Sequence, residues 1–250
     1  MFVSVERVID PRLRGRPVIV LSNNDGCAVS RSDEAKALGV AMGDPWFQLR
    51  EKPHLVDLVA CSSNYEEYGS FSSRFHETVA SVAIASETYS VDEAFVRLPR
   101  SSPAAAAAPI QDRVRRWTGL PTAAGLGTTK TLAKVAQRHA KNLGVDLVDL
   151  TSWPQSEVLE LLAATPTEDV WGIGNRLRAG LAGLGVHTAL EPCPSRRRRP
   201  SATMVGHART NRPRAGRSAL HAGRLRTARS PAADVLTHAR SDRLHPHRDA

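Results

Sequence analysis

The chain has 250 residues, 34 Lys and Arg against 25 Asp and Glu, and a formal net charge of +9. That length can bury a substantial core, as one large domain or two or three small ones, and it contains no apolar run long enough to span a membrane. Met1-Phe2-Val3-Ser4-Val5-Glu6-Arg7 lacks the basic-then-apolar plan of a secretory signal, and Cys27, Cys61 and Cys193 stand far apart with no CxxC pair, which argues against a zinc cage or disulfide framework and for a reducing cytoplasm.

Phe2 reads as a core residue or part of a frayed start. Arg16 to Ser22 is a short β-rich run, and Asn23-Asn24-Asp25-Gly26 before Cys27 to Ser30 predicts a hairpin turn. Asp33 to Leu38 predicts a short helix stopped by Gly39, and Leu55 to Cys61 a strand. Tyr65 to Ala83 predicts a longer helix, with apolar or aromatic residues at 68, 71, 75, 79 and 82. Glu87 to Leu98 reads as one strand with the acids Asp92 and Glu93 in its middle. Ser101 to Pro109, with five consecutive alanines, reads as a low-complexity connection. Ile110 to Trp117 suits a helix and Thr122 to Leu126 a weak strand.

Thr128-Thr129 caps an amphipathic helix, Lys130 to Leu143, whose expected buried stripe is Leu132, Val135, Ala136, Ala140 and Leu143. Lys130, Lys134, Arg138 and Lys141 share its other side, either as a solvated face or as a surface for phosphates. Ser156 to Ala163 is a further helix. Val170-Trp171-Gly172-Ile173-Gly174 then precedes a helix from Asn175 ending at Gly183 or Gly185. Gly172, Ile173 and Gly174 make either a tight turn or a set of backbone N–H groups offered to a phosphate. The irregular order of strands and helices predicts an α+β fold for 1–150 and a small helical unit for 151–190.

Residues 191–250 differ from everything before them. They hold 14 Arg, no Lys and 4 acids, a net of +10, while the first 190 residues hold 20 basic and 21 acidic groups. The basic balance of the whole chain therefore says nothing about what the first 190 residues bind. The segment has no Phe, Trp or Tyr and cannot bury enough apolar surface to offset the entropy of ordering, so disorder is expected. It is either a basic arm that neutralises phosphates or the product of a frame change near Glu191–Pro194, since GC-rich DNA read out of frame yields such a composition.

Asp92-Glu93 is the most informative pair. Adjacent residues of a strand face opposite ways, so one acid would point inward, where a carboxylate needs a metal ion or a basic group. Two carboxylates with substrate phosphates is a common way to hold Mg²⁺. The alternative is a strand end whose acids both reach water.

Seven stretches occur in order: Leu21 to Cys27, Asp33 to Val40, Gly43 to Phe47, Ser63-Asn64-Tyr65, Tyr89 to Phe95, Thr129 to Lys134 and Asp169 to Gly174. Together they resemble the Y-family translesion DNA polymerases, in particular the UmuC-type catalytic subunit of DNA polymerase V, over roughly residues 1–190. The resemblance implies a palm and fingers in 1–150, a thumb with a helix-hairpin-helix in 151–190, and a nucleotidyl transferase of the SOS mutagenesis and repair type. Asp92 and Glu93 would be metal-binding carboxylates, with two Mg²⁺ ions activating the primer 3′-hydroxyl and stabilising the leaving pyrophosphate. Ser30, Lys36 and Lys141 would face the incoming triphosphate, and Phe2 would stack under the sugar and exclude ribonucleotides. Gly172, Ile173 and Gly174 would hold duplex phosphates.

Primer-template DNA and a deoxynucleoside triphosphate are the implied substrates. UmuD-type subunits, a recombinase filament and the sliding clamp are the implied partners, at the nucleoid and not at a membrane. The family's first palm strand and its metal-binding Asp have no counterpart before Phe2, and the little finger has none after the thumb. Two expectations therefore stand side by side: a translesion polymerase, or a non-catalytic remnant that at most binds DNA.

Overall fold

In a computed structural model of the chain, the structure describes residues 1–99 and 101–191 and the backbone of 232–239. The chain divides into two compact units, Met1–Thr151 joined by Ala233–Ala250, and Ser152–Ala232.

The first unit opens with helix α1, Phe2–Ile9, which the sequence analysis did not anticipate. Strands β1 (Val18–Leu21) and β2 (Ala28–Arg31) then form the expected antiparallel hairpin, with Asp25 supplying the positive φ of 51° that its turn requires. Helix α2, Asp33–Ala37, is capped by the Ser32 hydroxyl, which accepts from the Ala35 N–H at 3.1 Å. After the short helix α3 (Trp46–Leu49), the expected strand 55–61 is shorter than anticipated. Pro53–Leu55 winds as a 3₁₀ turn, and only β3, Val59–Cys61, is extended, parallel to β1. These strands form a sheet in the order β2-β1-β3.

Strand β1 is the wall between two cores. Its four residues are buried, and because alternate residues face opposite sides, Val18 and Val20 join one cluster while Ile19 and Leu21 join the other. The larger cluster includes Val3, Val5, Phe71, Phe75, Val96 and Ile110, and the smaller Ala28, Ala35, Val40, Leu49 and Leu55.

Helix α4, Tyr65–Val82, buries Tyr68, Phe71, Phe75 and Val79, four of the five positions its spacing predicts. The next segment departs from expectation. Glu87–Leu98 is not one strand but part of a hairpin of β4 (Ala85–Ser90) and β5 (Glu93–Pro99), turning at Val91-Asp92. Asp92 therefore lies in the turn and Glu93 starts β5, so the acids do not face opposite sides of a continuous strand. Residues 101–109 also differ from the expected loose connection. Alanine is the strongest helix former, Pro103 suits the first turn, and α5 runs Pro103–Thr118 through Pro109 to Gly119, which takes φ +71° at the C-terminus.

Strand β6, Thr122–Gly127, is wholly buried, and α6, Lys130–Leu143, packs on it behind the expected cap, the Thr129 hydroxyl accepting from the Leu132 N–H at 3.2 Å. The buried stripe of α6 is rotated from the expected one. Ala133, Val135, Ala136, Gln137 and Ala140 are buried, whereas Leu143 is exposed. The rotation follows from Gly125 and Gly127, whose missing side chains let the backbone of Ala133 to Gln137 rest on the strand. Strand β7, Leu147–Asp149, pairs parallel to β6.

The second sheet has the order β4-β5-β8-β6-β7, where β8 is Ala232–Ala239. This corrects the expectation of disorder throughout 191–250. Residues 232–239 contain neither Arg nor Pro, include Val235, Leu236 and Thr237, and complete a ladder with β6 from Thr122↔Ala239 to Gly127↔Asp234. The expectation for 192–231 and 240–250, Cys193 included, lies outside the described residues.

In the second unit, α7 (Gln155–Ala164) and a 3₁₀ turn at Thr167–Asp169 lead to Gly172, at φ +90°, and to α8, Asn175–Ala182, with Gly174 at its N-cap. Among the described residues no helix is long and apolar enough to cross a membrane.

Candidate active site

The β4–β5 turn presents Asp92 and Glu93 together. The Ser90 hydroxyl donates to Asp92 Oδ1 at 2.9 Å, and His76 Nε2 lies 2.8 Å from the Ser90 carbonyl oxygen, which ties the turn to α4. The two acidic side chains are only 20% and 13% exposed, too little for water alone to balance their charge. Basic groups stand against them. The Met1 amino nitrogen, whose pKa burial lowers against the attraction of Asp92, stands 3.7 Å from Asp92 Oδ2, and Lys134 Nζ donates to Glu93 Oε2 at 2.7 Å.

Helix α6 supplies this charge because it crosses the hairpin with one lysine per turn. Lys130 pairs with Glu87 at 2.6 Å and lies over the Phe95 ring, and Lys134 lies over the Tyr89 ring at 4.8 Å while holding Glu93. The expected basic face is thus engaged with the hairpin at Lys130 and Lys134. Lys141, two turns on, is partly buried, and burial brings its ammonium down to about 8 against the attraction of Glu93 and Asp92. Lys134 and Lys36 push it in the same direction as burial.

The first three residues connect the remaining candidates. Met1 meets Asp92, the Phe2 ring stacks on Tyr68 at 4.3 Å and meets the edge of Tyr65 at 5.9 Å, and the Val3 N–H donates to the Ser30 hydroxyl at 3.4 Å. Lys36 Nζ pairs with Asp33 at 2.8 Å and is about half exposed. The structure therefore gathers Phe2, Ser30, Lys36, Asp92, Glu93 and Lys141 within one unit. Gly172, Ile173 and Gly174 belong to the other unit, where Ile173 N–H closes a turn onto the Val170 carbonyl at 3.1 Å.

Sequence reasoning placed Lys134 on the basic face but not in the site, because its partner lies 41 residues away. Ser90 lies inside the Tyr89 to Phe95 stretch and Tyr68 on the apolar stripe of α4, and no local spacing marks either as part of the site. Among the described residues no group of three or more His, Cys, Asp or Glu is placed to share one metal ion.

This arrangement is built on a polymerase fold. The chain superimposes on the insertion ternary complex of Dbh DNA polymerase with a TM-score of 0.63 at 23% identity, covering 75% of this chain and 56% of that one. DinB from Sulfolobus solfataricus gives 0.62 at 24%, covering 75% and 55%. Residues 1–138 match the impB/mucB/samB family, and the chain belongs to that family. It is 43% identical over 196 residues to the protein ImpB of Salmonella typhimurium, and 40% identical over 197 residues to the protein UmuC of the same species, covering 76% of this chain and 46% of each relative. DNA polymerase IV 1 of Bacillus subtilis is 32% identical over 194 residues, covering 75% of this chain and 45% of that one. The chain spans about half the length of the curated relatives it matches.

Proposed function

We propose that the chain carries the nucleotidyl-transfer centre of a DNA-directed DNA polymerase of the translesion type. The observation that supports this most directly is the meeting of two adjacent, partly buried carboxylates with Lys134 and Lys141 at one sheet end, in a chain with a polymerase fold. The donor chemistry suits a divalent ion: Glu93 already holds the Lys134 ammonium at 2.7 Å beside Asp92, and two carboxylates completed by substrate phosphates is a usual Mg²⁺ set. Bound there with the triphosphate, Mg²⁺ supplies charge neutralisation and a more acidic primer hydroxyl.

The chain's own residues take the remaining roles. Lys141, Lys36 and the Ser30 hydroxyl bind and orient the triphosphate, with Lys141 approaching it as a point charge. Phe2, held flat on Tyr68, lies under the sugar and opposes a 2′-hydroxyl by steric contact. In the Gly172-Ile173-Gly174 turn the two glycine N–H groups are offered to duplex phosphates, while the Ile173 N–H holds the turn closed on the Val170 carbonyl. UmuD-type subunits, a recombinase filament and the sliding clamp are the partners proposed for the longer protein, in the cytoplasm at the nucleoid.

Mg²⁺-dependent primer extension by the full chain, with D92N and E93Q beside it, tests this. Extension by the parent that falls at least about a thousandfold in either variant, with primer-template binding retained, is expected. DNA binding without extension in the parent would favour the non-catalytic remnant.

A further inference from the structure

The contact between Lys134 and Glu93 is built differently from its neighbour one helical turn earlier. Lys130 and Glu87 form an outer pair in which Glu87 is 62% exposed, so water screens it and its contribution is small. Lys134 and Glu93 are 16% and 13% exposed, so their charges depend on each other. In the same position Lys134 Nζ also lies over the face of Tyr89, 4.8 Å from the ring centre, and Tyr89 is braced edge-on against Phe95. An ammonium with one partner that is a carboxylate and another that is an aromatic face can leave the first without losing all favourable contact.

We propose that Lys134 is a placeholder cation, a positioning residue that holds the Glu93 carboxylate oriented while no divalent ion is bound and yields it when one arrives. The inference rests on the reading of Asp92 and Glu93 as metal carboxylates. Its physical content is competition: the lone pair of Glu93 Oε2 that accepts from Lys134 at 2.7 Å is taken, and the ammonium's charge opposes an incoming divalent ion until it withdraws toward Tyr89. A residue serving only to clamp α6 to the hairpin would not set metal affinity in this way.

The test is Mn²⁺ binding to the full chain without nucleotide or DNA, by calorimetry or electron paramagnetic resonance, in the parent, K134M, K134R and E93Q. K134M removes the competitor and is expected to bind Mn²⁺ about threefold to tenfold more tightly than the parent. K134R grips the carboxylate through two N–H groups and is expected to bind more weakly than the parent, and because it keeps the charge it guards against a folding defect in K134M. E93Q is expected to lose most of the affinity. Equal or weaker binding by K134M, with E93Q still impaired, would overturn the placeholder and leave the metal reading intact. Failure of the parent and K134M alike to bind Mn²⁺ would overturn the placeholder, and binding indifferent to E93Q would overturn both.

Discussion

The ring of Phe2 lies on that of Tyr68 at a centroid distance of 4.3 Å and an interplanar angle of 13°, and the Tyr68 hydroxyl donates to Glu6 at 2.5 Å. Phe2 and Glu6 are one turn apart on α1, so a single tyrosine of α4 holds that helix through both a ring face and a hydroxyl. Burial, followed by the Glu6 hydrogen bond, drives the Tyr68 hydroxyl well above the ordinary tyrosine value, so it remains a donor at any working pH. The orientation of Phe2 is thus fixed by packing on a neighbouring helix.

Phe2→Ala should remove the steric objection to a 2′-hydroxyl. Ribonucleotide discrimination is expected to fall on the order of tenfold or more, measured as the ratio of deoxy- to ribonucleotide incorporation. Discrimination unchanged by the substitution would leave Phe2 as a packing residue alone.

Gly125→Ala tests the seat of α6. A Cβ at this position would stand 2.1 Å from the Gln137 nitrogen and 2.4 Å from the Ala133 carbonyl oxygen, both backbone atoms that cannot rotate away. Destabilisation of about 3 kcal/mol or more is expected from such overpacking, read as a large drop in Tm. A Tm within a degree or two of the parent would show that α6 can lift from β6 at little cost.

Arg7 is 1% exposed, and its guanidinium donates to the Leu13 carbonyl at 3.2 Å, the Arg16 carbonyl at 2.8 Å and Glu34 at 2.7 Å. Arg7→Ala leaves the Glu34 carboxylate without its guanidinium, takes one of two donors from each carbonyl, and should cost about 3–5 kcal/mol, read by chemical denaturation. Glu34→Gln keeps an acceptor in place and should cost distinctly less.

Lys141 gives a pH signature. Burial lowers its folded-state value to about 8 from an ordinary 10.5, so the folded protein gives up this proton more readily than the unfolded chain. The burden on stability is full below about pH 8 and is relieved as pH rises toward the ordinary lysine value. Stability should therefore increase over that interval through this group, and Lys141→Met should abolish the increase. Triphosphate affinity should move oppositely in the parent, weakening above about pH 8 as the ammonium neutralises. An affinity profile flat across that pH would remove Lys141 from the triphosphate.

Local chemistry made parts of this fold legible. The Asn23 to Gly26 turn, the 68, 71, 75 and 79 stripe of α4 and the Thr129 cap each act within a few residues, and each stands where the pattern places it. The β4–β5 turn was hidden because Val91-Asp92 carries no Gly, Pro or Asn, and the extended pattern reads continuously through it. Helix α5 was hidden by Pro109 and by an alanine run that looks featureless. In the site, Asp92, Glu93 and Lys141 stood out through their motifs, whereas the Lys134–Glu93 pairing depends on how α6 crosses the hairpin and no local spacing encodes it.

The placement of β8 bears on how the molecule comes together in time. Strands β5 and β6 are separated in the sheet by a strand whose pairing, Gly127 with Asp234, spans more than a hundred residues. The β4–β5 hairpin and the β6–α6–β7 unit can each form from nearby residues as the chain leaves the ribosome. Their facing edges then stay open until residues 232–239 have been synthesised. During that interval the nascent chain displays two unpaired strand edges, which makes it a natural client for chaperones and a hazard for strand exchange between neighbouring copies.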